Sequence, residues 1–182
     1  MMTQKERFLA LLHNEPVDGF VNQYGALGTF EGFLFSVPFL SRGAMCPPGG
    51  SVVNEWGVTI IWPEGEPGAV PLTDPEHVVI KDIGEWRKYL HRPDLHTEDS
   101  EWDQAREQAR AIAAKNEIFA APMFAPGNFE LTHFFMPFED CLAFLLEYPE
   151  EMHDLLDYIT DYRMDYLEEI FKHIPEVNMI FC

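Results

Sequence analysis

The sequence predicts an α/β protein built from parallel strands joined by long helical crossovers. Three observations carry this. Short apolar runs, such as Glu117 to Met123 and Val177 to Cys182, read as buried strands. Segments with helical periodicity separate them, and the longest stands directly before the last run. There is no internal repeat and no low-complexity tract. The order strand, helices, strand, helices, strand suits about the first three βα units of a (β/α)8 barrel. An N-terminal helix and a small β-hairpin insertion decorate it, with residues 1–182 forming a single domain.

Thr3-Gln4-Lys5-Glu6 has the spacing of a capping box. The helix it opens carries an apolar face through Leu12 and stops between Asn14 and Pro16. Gly19 to Tyr24 is expected as the first strand, followed by a phenylalanine-rich stretch from Thr29 to Leu40 and a loop from Arg42 to Ser51. Val52 to Trp62, rich in β-branched and aromatic residues around Gly57, predicts two short strands paired as a hairpin. Pro63 to Pro75 is too rich in proline and glycine for anything but irregular chain.

Asp82-x-x-Glu85 marks a second capping box and a helix through Trp86, Tyr89 and Leu90. A third helix spans about Glu101 to Lys115, with Asn116 just beyond its end. After the Glu117 to Met123 strand, Pro126-Gly127-Asn128 turns the chain into a short helix from Phe129 to Met136. Another helix covers Phe138 to Glu147. Pro149 then opens the last one, whose apolar face holds Met152, Leu155, Leu156, Ile159, Tyr166, Leu167 and Ile170. His153, His173 and the series Asp154, Asp157, Asp161 and Asp165 fall on its polar face and read as solvated; the acids could also meet a basic partner.

Composition narrows the function classes. A formal charge of −19, from 31 acidic and 12 basic residues, argues against nucleic acid or an anionic membrane as partner. The content of 47% hydrophobic and 14% aromatic residues excludes a disordered chain. Cys46, Cys141 and Cys182 stand far apart with no metal-ligand spacing, as suits a reducing cytoplasm. Met1 to Asn14 lacks the apolar core of a signal peptide, and no apolar run approaches the roughly 20 residues of a membrane span.

Several stretches, in order, resemble the uroporphyrinogen decarboxylase superfamily, and within it the methylcobamide:coenzyme M methyltransferase branch. They are Met2 to Phe8 with Pro16-Val17-Asp18; Asn54-Glu55-Trp56-Gly57-Val58; Gly127-Asn128-Phe129-Glu130 with His133 to Phe138; and Tyr148-Pro149-Glu150 with the helix after it. The resemblance implies a (β/α)8 barrel longer than this chain, of which the chain is the N-terminal portion. It also implies methyl transfer from a methylcobamide to a thiol or other acceptor, with zinc and a corrinoid as cofactors of full-length relatives. That branch's zinc ligands, a His-x-Cys and a distant Cys, have no counterpart among these residues, so the chain alone is expected to be inactive and to hold no metal. A tetrapyrrole decarboxylase is disfavoured, because a polycarboxylate substrate calls for an arginine clamp and no Arg lies between Arg7 and Arg42. A third reading is a non-catalytic module that self-associates through open strand edges or complements a separate C-terminal half. The implied partners are a small molecule or a corrinoid protein.

The candidate site residues follow from position. Asn22, Gln23 and Tyr24 lie at the carboxyl end of the expected first strand, where barrels bind substrate, although such polar groups also serve structure alone. Glu55 and Trp56 are candidate substrate contacts, or a solvated acid and plain core. Asn128 is a further binding candidate. Glu130 and His133 have the i, i+3 spacing of a pair able to move a proton, or are a helix-terminal acid and a hydrogen-bonded histidine.

Overall fold

A computed structural model describes residues 1–27, 46–95, 98–122, 124 and 127–181. The Thr29 to Leu40 stretch and residues 42–45 of the Arg42 to Ser51 loop fall outside them. The protein is mixed α/β, mostly helical with a small antiparallel sheet. It divides into two units: Met1–Pro38 with His96–Phe124 and Leu167–Cys182, and Phe39–Leu95 with Ala125–Tyr166.

In the first unit, helix α1 (Gln4–Leu12) starts where the capping box predicts. Thr3 Oγ1 accepts from the Glu6 amide at 3.1 Å, and the Glu6 carboxylate accepts from the Thr3 amide at 2.8 Å. Arg7 reaches back from α1 to Asp18 at 2.5 Å, and the Met2 amide donates to the same carboxylate at 2.8 Å. The expected strand at Gly19 to Tyr24 does not form. Asn22 Oδ1 instead accepts from the Tyr24 amide at 2.9 Å, and the chain turns into helix α2 (Gln23–Leu27). That side-chain bond offers the backbone an alternative to a strand ladder.

The other two apolar segments of this unit form no regular strands among the described residues, but single backbone bonds join them. The Phe181 amide donates to the Pro122 carbonyl at 3.1 Å, and the Phe181 carbonyl accepts from the Phe124 amide at 2.7 Å. One residue bonded on both sides of its neighbour's position is the pattern of parallel pairing. Upstream, the Asn178 amide donates to the Ala120 carbonyl at 3.2 Å, while Asn178 Oδ1 accepts from the Ala120 amide at 3.1 Å. Their apolar side chains join Ala26, Leu27, Phe119 and Ala121 in a core flanked by Phe8, Met179 and Phe181.

A 3-10 turn (Asp99–Trp102) leads into helix α3 (Asp103–Lys115), which ends with Asn116 in the left-handed region at φ 54°. Trp102 is buried and lies flat against His173 at 4.8 Å. The expectation that His173 is solvated is therefore corrected: its ring nitrogens face Asp99 and Glu169, each at 3.1 Å, and its side chain is 14% exposed. His153, beside Asp157 at 3.2 Å, is 79% exposed and solvated as expected.

The second unit holds strands β1 (Ser51–Val53) and β2 (Thr59–Ile61), antiparallel as the hairpin reading requires. A third strand, β3 (Val70–Pro71), pairs with β2 inside the stretch expected to be irregular. Its proline sits at the sheet edge, where a missing amide removes no ladder bond. The helix expected after Asp82 is a 3-10 segment (Ile83–Lys88). Asp82 caps the Gly84 amide at 2.9 Å, and Glu85, at φ −124°, leaves helical geometry.

Helices α4 (Asn128–Phe135), α5 (Phe138–Glu147) and α6 (Pro149–His173) follow. The Phe135 carbonyl at the end of α4 accepts from the amides of Val79 and Ile80 at 3.1 and 2.8 Å. On α6, Tyr158 is the hub for the segment before it. Its hydroxyl accepts from the Arg92 amide at 3.0 Å, and its ring meets Trp86 edge-on at 5.0 Å. Arg92 lies over that ring at 4.4 Å. The acidic row on α6 is consequently not a free face. Asp154 pairs with Arg87 at 2.6 Å, and Asp161 and Asp165 pair with Arg92 at 3.6 and 3.2 Å.

Candidate functional site

The hairpin turn shows how local sequence places the first candidates. Asn54 Oδ1 accepts from the amides of Trp56 and Val58 at 3.0 and 2.9 Å, and the Asn54 carbonyl accepts from the Gly57 amide at 2.9 Å. Gly57 closes the turn at φ 78°, a conformation costly for any residue with a Cβ. This geometry leaves Glu55 exposed and turns Trp56 inward to 4% exposure.

Trp56 enters an aromatic cluster. Its ring meets Tyr162 edge-on at 4.8 Å and Phe135 at 5.4 Å, and Tyr162 in turn stacks on Tyr166 at 6.4 Å. Trp56 Nε1 and the Tyr162 hydroxyl are buried with no hydrogen-bond partner among the described residues. Burial raises the pKa of both tyrosines well above the usual phenol value. The Glu55 carboxylate adds to the rise in Tyr162, and Tyr162 followed by Glu55 adds to that in Tyr166. Both phenols are therefore protonated at neutral pH. The indole N–H and the phenol O–H can donate to an acceptor oxygen.

The other candidates are placed as follows. Asn22 is occupied as the cap of α2, and Tyr24 rests edge-on against Phe181 at 6.0 Å; Gln23 lies in the first turn of α2. Asn128 Nδ2 donates to Thr160 Oγ1 at 2.7 Å, and that hydroxyl donates to the Leu156 carbonyl at 2.7 Å. Asn128 thereby ties α4 to α6. Glu130 and His133 lie on α4, with the imidazole edge-on to Phe134 at 5.1 Å and to Phe138 at 5.6 Å. The structure thus brings Glu55 and Trp56 to one cluster within the second unit.

Sequence reasoning missed Tyr162 as a member of that cluster. The available signal was a tyrosine four residues before Tyr166, on the apolar stripe of an otherwise acidic helix. It also missed Arg87 and Arg92 as partners of the acids, because ion pairs 67 and 73 residues apart leave no local pattern.

Cys141 is the buried residue of α5, and burial pushes its thiol up to about 11, against a smaller lowering by the Thr132 hydroxyl. Among the described residues, no three His, Cys, Asp or Glu side chains converge as a metal site. No helix among them is long and apolar enough to cross a membrane. No model of a known protein family, no curated protein and no solved structure matches the chain.

Proposed function

We propose that this chain forms the opening βα units of a barrel enzyme of the uroporphyrinogen decarboxylase superfamily, in its corrinoid or thiol methyltransferase branch. The observation that carries the reading is the parallel pairing of Phe181 between Pro122 and Phe124, reached through the helices α4 to α6. Parallel strands joined by helical crossovers are the unit from which such barrels are built. The resembling motifs support it further. Arg7 and Asp18, from the first of them, are ion-paired, and the Asn54 to Val58 motif forms the turn that buries Trp56.

In that branch zinc would activate a thiol as the nucleophile toward a methyl group carried by a corrinoid. Among the described residues no three His, Cys, Asp or Glu side chains fit zinc, so its ligands would come from outside them. The role assigned to this chain is to shape one side of a cleft. Asn22, Gln23, Tyr24, Glu55, Trp56 and Asn128 remain the proposed contacts, and Glu130 with His133 the proposed proton-handling pair.

The test is a paired assay of methyl transfer from methylcobalamin to a thiol. One arm holds the purified chain with zinc. The other adds a C-terminal half bearing His-x-Cys from a methyltransferase of that branch. Zinc retention and turnover are expected only in the second arm. Turnover by the chain alone, or none in a mixture that forms a stable complex, would overturn the proposal.

A further inference from the structure

The segment from Thr73 to Ile83 and helix α5 with its C-cap enclose a cavity of about 520 Å³ within the second unit. That volume is in the range of small-molecule sites. Asp140, Phe144 and Tyr148 line it at i, i+4 and i+8, which is one side of a helix. The rings of Phe144 and Tyr148 meet edge-on at 5.3 Å. The other wall carries the buried Ile80 and Ile83, with Lys81 and Asp82 between them in sequence. Two bonds fix this wall. The Ile80 amide donates to the Phe135 carbonyl at 2.8 Å, and Asp82 Oδ1 accepts from the Gly84 amide at 2.9 Å. A wall already held by its own bonds loses little freedom when the cavity fills.

The charges on the lining are opposite and unspent. Among the described residues, the side chains of Lys81 and Asp140 have no hydrogen bond and no ion pair, although both line the one cavity. They therefore do not neutralise each other across it. Asp82 differs, since its carboxylate is engaged as the cap on Gly84. None of the contacts proposed above for methyl transfer lines this cavity.

We propose that the cavity binds a free α-amino acid with a large apolar side chain. Its ammonium would pair with Asp140 and its carboxylate with Lys81, while its side chain packs against Phe144, Ile80 and Ile83. An apolar amine would answer Asp140 alone and meet Lys81 as a like charge. An apolar carboxylate would answer Lys81 alone and meet two acids. Only the zwitterion uses both free charges.

The experiment titrates the 182-residue chain with L-phenylalanine, phenethylamine and N-acetylphenylalanine, followed by amide signals in nuclear magnetic resonance. Phenylalanine should shift the signals of residues 73–83 and 137–148 with a Kd of about 1 mM, because the paired charges stand at an exposed rim. Each of the other two probes lacks one charge and should bind at least about fivefold more weakly. Asp140→Asn should weaken phenylalanine and leave N-acetylphenylalanine unchanged. Lys81→Gln should weaken phenylalanine and leave phenethylamine no weaker. Both side chains are exposed, so the melting curves of the two variants should match the parent's. No shift in these segments at about 20 mM phenylalanine, or full affinity in both variants, would overturn the proposal. Phenethylamine binding as tightly as phenylalanine would also overturn it and leave a plain cation site.

Discussion

The rings of Trp56 and Tyr162 meet edge-on at 4.8 Å, and each brings a buried hydrogen-bond donor that has no acceptor among the described residues. Edge-to-face packing of this kind stabilises the pair, whereas an unmet polar atom in the same place costs free energy. The two effects can be separated by substitution. Tyr162→Phe keeps the ring and removes the unmet hydroxyl, so stability should hold or rise by about 1 kcal/mol. Trp56→Ala empties the cluster and should cost about 3–5 kcal/mol. Chemical denaturation of both variants decides the matter. A loss of several kcal/mol in Tyr162→Phe would mean that the hydroxyl has a partner.

The hairpin turn depends on one amide side chain and one glycine. Asn54→Ala removes the acceptor for two backbone amides and should cost about 1–2 kcal/mol. Gly57→Ala meets no atom within 4 Å but must hold φ at 78°, so about 1–2 kcal/mol is lost to backbone strain alone. Tryptophan fluorescence during unfolding would report both losses. Unchanged midpoints would show that the turn is not what seats Trp56.

Alkaline pH should unfold the second unit. Cys141, Tyr162 and Tyr166 all have pKa values raised by burial, so each favours the native state while protonated. In the unfolded chain a thiol titrates near 8.5 and a phenol near 10. Their stabilisation is complete below those values and is lost as pH rises through them toward the native ones. The denaturant midpoint should fall from about pH 9 upward, and two of the tyrosines should ionise only on unfolding. A flat midpoint across that range would contradict the burial of these groups.

At the acidic end, the Arg7 hydrogen bond first, then the Met2 amide, hold the Asp18 carboxyl below its usual range. The sign is reversed here. The contribution is present above the ordinary carboxylate value and disappears as pH falls through the native one. Asp18→Asn should blunt the acid sensitivity of α1, followed by amide exchange in residues 4–12.

Parallel pairing can be probed at Asn178, which bonds the Ala120 peptide by both its backbone and its side chain. Asn178→Ala should cost about 1 kcal/mol and speed amide exchange at Ala120. Exchange at Ala120 as slow as in the parent would show that the side-chain bond contributes nothing to this pairing.

The sequence made helices legible where a cap and a stripe agree, as at Thr3 with Glu6 or Pro149 with the face through Ile170. The hairpin was legible too, because Asn54 and Gly57 demand a turn between β-branched runs. Gly19 to Tyr24 misled because the side chain of Asn22 competes for the backbone that a strand would use. The Asp82 helix came out 3-10 because Glu85 departs from the helical geometry that a capping spacing suggests. His173 was misplaced because periodicity says nothing of Trp102, which reaches it from 71 residues away. Among the candidate residues, Trp56 is buried as its reading as plain core expects, but its environment depends on α4 and α6 and could not be read locally.

The arginines that close on Tyr158 bear on how the chain gains its order. Helix α6 carries Asp154, Asp157, Asp161 and Asp165 at spacings where like charges repel, so a peptide of residues 149–173 should be a weak helix at neutral pH and a better one in acid. In the intact protein Arg87 and Arg92 relieve that repulsion from a segment far upstream. The same two arginines lie over the Tyr158 ring, so one aromatic residue of α6 seats the segment that also neutralises its acids.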